Sequence, residues 1–354
     1  MPLNTVLIVG GGPAGLEAAR GVAELGKRAL LVEAREELGG TPFASSYATL
    51  TPDLRDTEEA MQDLLNDVRQ NPLVDLRLGT RIVNSMGEQG NFEVTLRNAD
   101  GTQVVEKVGA VIVATGFKHF DPGRETQMYG YYEYDDVITL VDAEKMMKQG
   151  KIVRPSTGEP PEKVAFIQCV GSRDRQIGNQ YCSKVCCGIA SKQSIEIKRM
   201  LPKAKVFIFY IDMRMYGFWE DQIYWKAQEE YKVNYVRGIV TEVIKKGDKL
   251  LVKGEDTTMG RPMEVLMDMV ILSVGMEPSN GTIEMSKTFS IPLEEHGFLA
   301  TQNAPLDTVS TKVPGIFVAG AAAGPKDLED SISMGGAAAM KAVALLNKLQ
   351  RVTA

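Results

Sequence analysis

Residues 5–9, TVLIV, form an unbroken run of β-branched and aliphatic side chains, the pattern of a strand covered on both faces rather than one. Comparable runs recur at 29–34 (ALLVEA), 108–116 (VGAVIVATG), 162–169 (EKVAFIQC), 204–211 (AKVFIFYI) and 313–324 (VPGIFVAGAAAG). Helical patterning appears at 16–26 (LEAARGVAELG), 187–201 (CGIASKQSIEIKRML) and 335–349 (GGAAAMKAVALLNKL). Strand, helix and strand therefore follow one another twice, which predicts an α/β protein built from two Rossmann-like units with parallel sheets. The stretch FWEDQIYWKAQEEY (218–231) holds both tryptophans and predicts an exposed helix. It is a candidate interface, with packing on its own domain the plainer expectation.

Composition narrows the class. A chain of 354 residues with 44% hydrophobic and 24% charged residues has room for two or three domains and a large core. A net charge of −6 argues against nucleic acid or an anionic membrane surface as partner. No run reaches the roughly 20 apolar residues that span a bilayer, which speaks against direct membrane insertion. The start, MPLNTVLIVGGGPAG, lacks a basic segment and a small-residue cleavage site. A cytoplasmic location is expected, and there four cysteines point to metal or redox chemistry rather than disulfides.

The first strand runs into Gly10-Gly11-Gly12-Pro13-Ala14-Gly15, which fits G-x-G-x-x-G. Gly10 permits the tight turn, Gly12 lets a pyrophosphate approach the backbone, and Gly15 lets helix and strand pack closely. The helix N-terminus offers free N–H groups to a phosphate. Glu33, 18 residues after Gly15 and followed by Ala34, is placed to accept a ribose hydroxyl. The order of these elements resembles the two-dinucleotide-domain flavoproteins of the thioredoxin-reductase type, which implies FAD at this loop. Further cofactor contacts are then expected at Gly39, Gly40, Thr41 and Pro42, at Ile82, at Thr115 and Gly116, and at Gly320 and Ala321. Gly335, Gly336 and Ala337 are expected to open the last helix, with its first amides towards the flavin. That family usually has Gly-Asp after its last strand, where this chain has Gly320-Ala321.

In such flavoproteins a second Rossmann unit carries its own glycine loop for a nicotinamide. Here the corresponding loop reads CVGSRDRQIGNQYCSKVCC, without the fingerprint and with every cysteine of the chain: Cys169, Cys182, Cys186 and Cys187. Structural zinc, a redox-active dithiol, unrelated buried thiols and an iron–sulfur cluster are the four alternatives. Adjacent cysteines suit a zinc knuckle poorly. The spacing is not C-x-x-C, and the histidines number only two, His119 and His296. Soft thiolates select iron–sulfur clusters.

The runs YGYYEYDDVITLVDAEKMMKQGKIVRPSTGEPPEKVAFIQCVGSRD (129–174), NQYCSKVCC (179–187) and GPKDLEDSISMGGAAA (324–339) resemble the A-type subunit of heterodisulfide reductase. That resemblance implies a discontinuous FAD domain with an inserted NAD(P)-binding-like domain, and a [4Fe–4S] cluster on Cys169, Cys182, Cys186 and Cys187. The implied division is 1–120 and 276–354 for the FAD domain, 121–160 for a connection, and 161–275 for the insert. The family commonly lacks the aspartate after its last strand. It also places a lysine at Lys192, implying a catalytic cation that steadies a reduced flavin; for a lysine on a helix, exposure is the ordinary expectation. Arg173 and Asp174 are expected to orient the loop, or only to cap it. Lys326 and Asp327 match the family without a derivable role, and Tyr129, Tyr131 and Tyr132 suit core or function equally.

The chain looks like a short, single-cluster form of the family. The function implied is electron transfer in a sulfur-oxidising heterodisulfide reductase-like complex, as a homodimer with B- and C-type subunits and a lipoate-binding protein. Alternatives are the A-type subunit of the quinone-interacting oxidoreductase of sulfate reducers, and a self-sufficient NAD(P)H-dependent disulfide oxidoreductase.

Overall fold

A computed structural model describes residues 2–353. The apolar runs become strands where the pattern places them. Thr5–Val9 is a strand with all five residues buried. Arg28–Val32, Ala110–Val113, Lys163–Val170, Lys205–Tyr210 and Ile316–Val318 are the others. The chain folds as an α/β protein whose contacts separate into two units.

The first unit takes the residues up to 44, then 60–118, and 277 onward. Its seven-stranded sheet has the order Thr301–Asn303, Asp307–Thr311, Ile316–Val318, Ala110–Val113, Thr5–Val9, Arg28–Val32, Val74–Arg77. The last five run parallel, while the first two add antiparallel. A three-stranded antiparallel sheet, Arg81–Glu88, Asn91–Arg97 and Gln103–Val108, lies beside it. Phe92, Val94 and Leu96 of that sheet share one apolar core with Leu7, Val9, Leu30, Val32 and Val113.

On this sheet the helix Pro13–Glu24 packs against the last helix, Leu328–Thr353. Small residues set the approach: a Cβ on Gly335 would meet the Ala14 carbonyl oxygen at 2.4 Å. This corrects the expectation that Gly335, Gly336 and Ala337 open the last helix. They lie about two turns inside it, Ala337 is exposed, and their amides belong to the helix ladder. The glycine pair serves helix contact. The helix begins instead behind Asp327, whose carboxylate accepts from Asp330 N at 2.7 Å.

The second unit is built from 45–59 and 119–276. Its sheet order is Val137–Thr139, Met269–Val274, Lys163–Val170, Lys205–Tyr210, Asn234–Lys246, Lys249–Asp256, Arg261–Met267, with the first five parallel and the last pairings antiparallel. Segment 121–160, expected as a connection, supplies the edge strand Val137–Thr139 and the helix Leu140–Lys148 to this unit. Thr139 and Asp142 cap that helix reciprocally. The helix Cys186–Met200 is buried along nearly its whole length. Residues 218–231 fold as a π-helical turn, Glu220–Trp225, continuing into Lys226–Glu229. Trp219 is buried against Gly188, whereas Trp225 is 42% exposed. Among the described residues no helix is long and apolar enough to cross a membrane.

Candidate functional site

The glycine loop follows its strand directly. Gly10 has φ +111°, and a Cβ there would strike the Ala114 carbonyl oxygen at 2.4 Å. A Cβ on Gly15 would lie 1.8 Å from the Gly10 oxygen, so helix Pro13–Glu24 reaches its position only with glycine there. Gly12 is different: it caps the helix, with Pro13 as the first residue, and a Cβ on it would meet only the Gly40 Cα, at 3.4 Å. Gly40 in turn sits at φ +65° over the Gly12 backbone. The two glycines form a bare cradle of the kind a pyrophosphate needs.

Glu33 is buried, and its carboxylate accepts from Gly11 N at 2.6 Å and Arg35 N at 2.9 Å. It thereby ties the strand end to the loop while keeping acceptor lone pairs to spare. Ala34 next to it is exposed. Gly39 donates to the Gly11 oxygen at 2.9 Å, and the short helix Thr41–Ala44 follows with Pro42 buried. Thr115 and Gly116 are locked in a way the sequence did not suggest. Ser279 Oγ donates to the Thr115 oxygen at 2.8 Å, and Thr282 Oγ1 bonds Thr115 Oγ1 at 2.8 Å and the Gly116 oxygen at 3.2 Å. The signal was a helix cap, Ser279 three residues before Thr282. Gly320, at φ +64°, leaves only 2.8 Å between a Cβ and the Ala14 side chain, and Ala321 beside it is buried. Ile82 is buried in the apolar core of the unit.

The cysteine loop joins Lys163–Val170 to Cys186–Met200. The strand breaks register at its end: Ile167 pairs with Leu272 and Val170 with Val274, so Gln168 and Cys169 together face Ser273. Such a bulge re-aims a side chain. Three non-glycine residues here have left-handed backbone, Cys169 (φ +63°), Arg173 (+56°) and Lys184 (+64°), a strain that persists only where surroundings enforce it. Buried Cys186 donates towards Cys169 and Cys187, which raises its own thiol pKa and lowers both of theirs, that of Cys187 to about 7. Arg173 also favours the Cys169 thiolate. Its ion-pair partner is Asp212, at the end of the next strand, rather than the neighbouring Asp174. Asp174 instead closes a turn by accepting from Gln176 N. Cys182 Sγ accepts from Lys184 N at 3.3 Å.

Among the described residues no group of three or more His, Cys, Asp and Glu side chains is arranged to hold a metal ion. A four-iron cluster asks for something else, one thiolate at each of four iron corners around a volume. The donor set suits such a group in chemistry: four thiols, with Cys186 within hydrogen-bonding reach of both Cys169 and Cys187, and nearby in the chain and sheet buried polar atoms without partners on Gln168, Ser172 and Ser273.

Lys192 is buried rather than exposed, at 2% of its surface. Its ammonium lies 2.5 Å from Glu144 and 3.7 Å from Glu196, and donates to the Thr49 oxygen at 2.9 Å. Glu144 also accepts from Ala48 N and Gln193 Nε2, and Thr49 Oγ1 donates to Glu196 at 2.6 Å. Burial, and then the nearby Glu144 charge, raise the Glu196 pKa. The group thus clamps the strap 45–59 onto its unit. Tyr47 on the strap meets His119 at 3.2 Å, and burial depresses the His119 pKa to about 4. Tyr132 is 76% exposed, and Tyr129 and Tyr131 are partly buried against the core.

Residues 4–165 match the family described as pyridine nucleotide-disulphide oxidoreductase. The chain is 39% identical over 242 residues to the A-type subunit of the H(2):CoB-CoM heterodisulfide,ferredoxin reductase of Methanothermobacter thermautotrophicus, covering 67% of this chain and 37% of that protein. It is 30% identical over 420 residues to the A-type iron-sulfur subunit of the CoB–CoM heterodisulfide reductase of Methanocaldococcus jannaschii, covering 95% and 63%. The chain thus spans between about a third and two thirds of the length of these curated relatives. Thioredoxin reductases of T. acidophilum and Lactococcus lactis are similar in fold, with TM-scores of 0.63 and 0.64 at 18% identity; these alignments cover 96% and 98% of this chain, and 98% and 99% of those chains. With its thioredoxin-reductase-like fold, glycine cradle and matching relatives, the chain is a flavoprotein of the oxidoreductase class, similar to the A-type subunit of heterodisulfide reductase.

Proposed function

We propose that this chain is an electron-transferring subunit that binds FAD and a [4Fe–4S] cluster within a heterodisulfide reductase-like complex of dissimilatory sulfur oxidation. One observation carries the reading. All four cysteines lie on the strand end, loop and helix start where a second dinucleotide-binding unit would hold its glycine loop. The M. jannaschii relative is itself named an iron-sulfur subunit.

When bound, FAD supplies a two-electron couple and an iron–sulfur cluster a one-electron couple. Gly12 and Gly40 would cradle the pyrophosphate, and Glu33 would accept a ribose hydroxyl. Cys169, Cys182, Cys186 and Cys187 would ligate iron, with Arg173, held by Asp212, favouring the ionised Cys169. The resemblance assigns Lys192 the role of a cation towards the reduced flavin. Glu144, 2.5 Å from that ammonium, balances its charge.

Anaerobically prepared protein should show flavin bands over a broad iron–sulfur background, with about four iron and four sulfide per chain. A purely yellow protein containing zinc and no sulfide would sink the proposal. The match to pyridine nucleotide-disulphide oxidoreductases favours a second reading, direct reduction by NADH or NADPH; rapid flavin bleaching by either alone would establish it. Co-purifying B- and C-type subunits with a lipoate-binding protein would support the sulfur-oxidising setting. A membrane quinone-reactive subunit would instead assign the chain to the quinone-interacting oxidoreductase. The proposed homodimer is checked by mass in solution.

A further inference from the structure

We propose that Ser172, Ser273 and Gln168 donate hydrogen bonds to the sulfur atoms held in the cysteine loop and thereby set the reduction potential of that centre. The proposal rests on the iron–sulfur reading above and assigns work to three residues outside the ligand set.

Among the described residues, buried side-chain polar atoms without a partner belong to six residues: Thr57, Gln168, Ser172, Gln193, Glu196 and Ser273. An unpaired buried polar group costs on the order of 1–3 kcal/mol, and native chains keep few of them. Three of the six lie at one place, the end of the neighbouring strands Lys163–Val170 and Met269–Val274 where the cysteine loop begins. Gln168 precedes Cys169, and the bulge sets both against Ser273. Ser172 N donates to the Cys169 oxygen at 3.2 Å. Ser172 also borders Ser183, the neighbour of Cys182: a Cβ on Gly275 would lie 3.2 Å from Ser172 Cβ and 2.8 Å from Ser183 Oγ. Ser172 therefore stands between the segments carrying the first two cysteines.

Exposure is 2% at Ser172, 0% at Ser273 and 7% at Gln168, so bulk water cannot serve as their partner. Two hydroxyls and an amide N–H are neutral donors, and the sulfur atoms of an iron–sulfur centre are anionic acceptors whose hydrogen bonds set its potential. Reduction adds negative charge to those sulfurs, so each donor favours the reduced form and raises the potential.

The test uses the full chain, reconstituted anaerobically, as wild type and as Ser172→Ala, Ser273→Ala and Gln168→Met variants, with EPR-monitored redox titration. Each variant should retain wild-type iron and sulfide with a potential displaced to more negative values. The double Ser172→Ala/Ser273→Ala variant should shift about tenfold in the one-electron equilibrium, ~59 mV. Ser172→Thr, which keeps the hydroxyl, should titrate near wild type, and far-UV circular dichroism with flavin content checks the fold. Unchanged potentials in all variants that hold an intact cluster overturn this proposal alone. A wild-type protein that takes up no iron and sulfide overturns the iron–sulfur reading and this proposal with it.

Discussion

Gly12 and Gly15 are three residues apart and do different things. A methyl on Gly15 would lie 1.8 Å from backbone oxygen, which no side-chain rotation relieves, whereas a methyl on Gly12 meets its nearest neighbour at 3.4 Å. Gly15→Ala should therefore lower stability by several kcal/mol, on the scale of severe core overpacking, as read by urea denaturation of the flavin-free protein. Gly12→Ala should leave that denaturation curve within about 0.5 kcal/mol and weaken flavin binding at least tenfold by fluorescence titration. Equal stability losses in both variants would refute the distinction. Lys192 poses the opposite case, a charge whose removal strands another. Lys192→Met leaves Glu144 buried at 1% exposure without its cation, and should cost about 3–5 kcal/mol. The double variant Lys192→Met/Glu144→Gln should be more stable than the single, because the stranded charge is gone; thermal unfolding of the pair decides it.

At the scale of elements, much of the dinucleotide loop was legible because its determinants are local. Gly10, Gly12, Gly15 and Glu33 lie within one strand–helix–strand, and strand Thr5–Val9 coincides with its apolar run. The helix 186–200 was legible as a helix but not in its burial. Its polar residues Lys192, Gln193, Ser194 and Glu196 suggest a face in water, yet all are buried. Ser194 donates to the Ser191 oxygen in its own helix, but the partners of Lys192, Gln193 and Glu196 come from 45–59 and 140–148, segments remote in sequence that no periodicity announces. Gly335 misled for a related reason, since a glycine marks a helix end as readily as a close helix contact. Contact also fixes how the π-turn meets the cysteine helix. A Cβ on Gly188 would lie 2.5 Å from the Trp219 ring. Gly188→Val should displace Trp219 towards water, seen as a red-shifted tryptophan emission, with a stability loss of about 1–3 kcal/mol. An unshifted spectrum would mean that the turn does not rest on this helix.

At the scale of the molecule, acid should act through His119. Its pKa is depressed by burial, with Lys145 adding to the effect, from the ordinary 6.5 to about 4. The unfolded chain therefore takes up this proton first. Stability from the neutral ring is complete above pH 6.5 and is lost as pH falls towards 4, by on the order of 3 kcal/mol. The difference in urea midpoint between pH 7.5 and 4.5 should shrink in His119→Gln relative to wild type; an identical difference in both proteins would rule the histidine out.

The sheet order of the first unit bears on how the chain is made. Its strand Ala110–Val113 lies between Thr5–Val9 and Ile316–Val318, and the helix after the glycine loop packs on the helix Leu328–Thr353. A ribosome releases four strands of that sheet first and the remaining three, Thr301–Asn303, Asp307–Thr311 and Ile316–Val318, only after all of 119–276 has emerged. The second unit can then fold while the first still waits for its final partners, since domains fold as units during synthesis. The cysteine loop can accordingly take its shape before the sheet beneath the glycine loop is complete, so the order of translation sets the order in which the two loops gain their final surroundings.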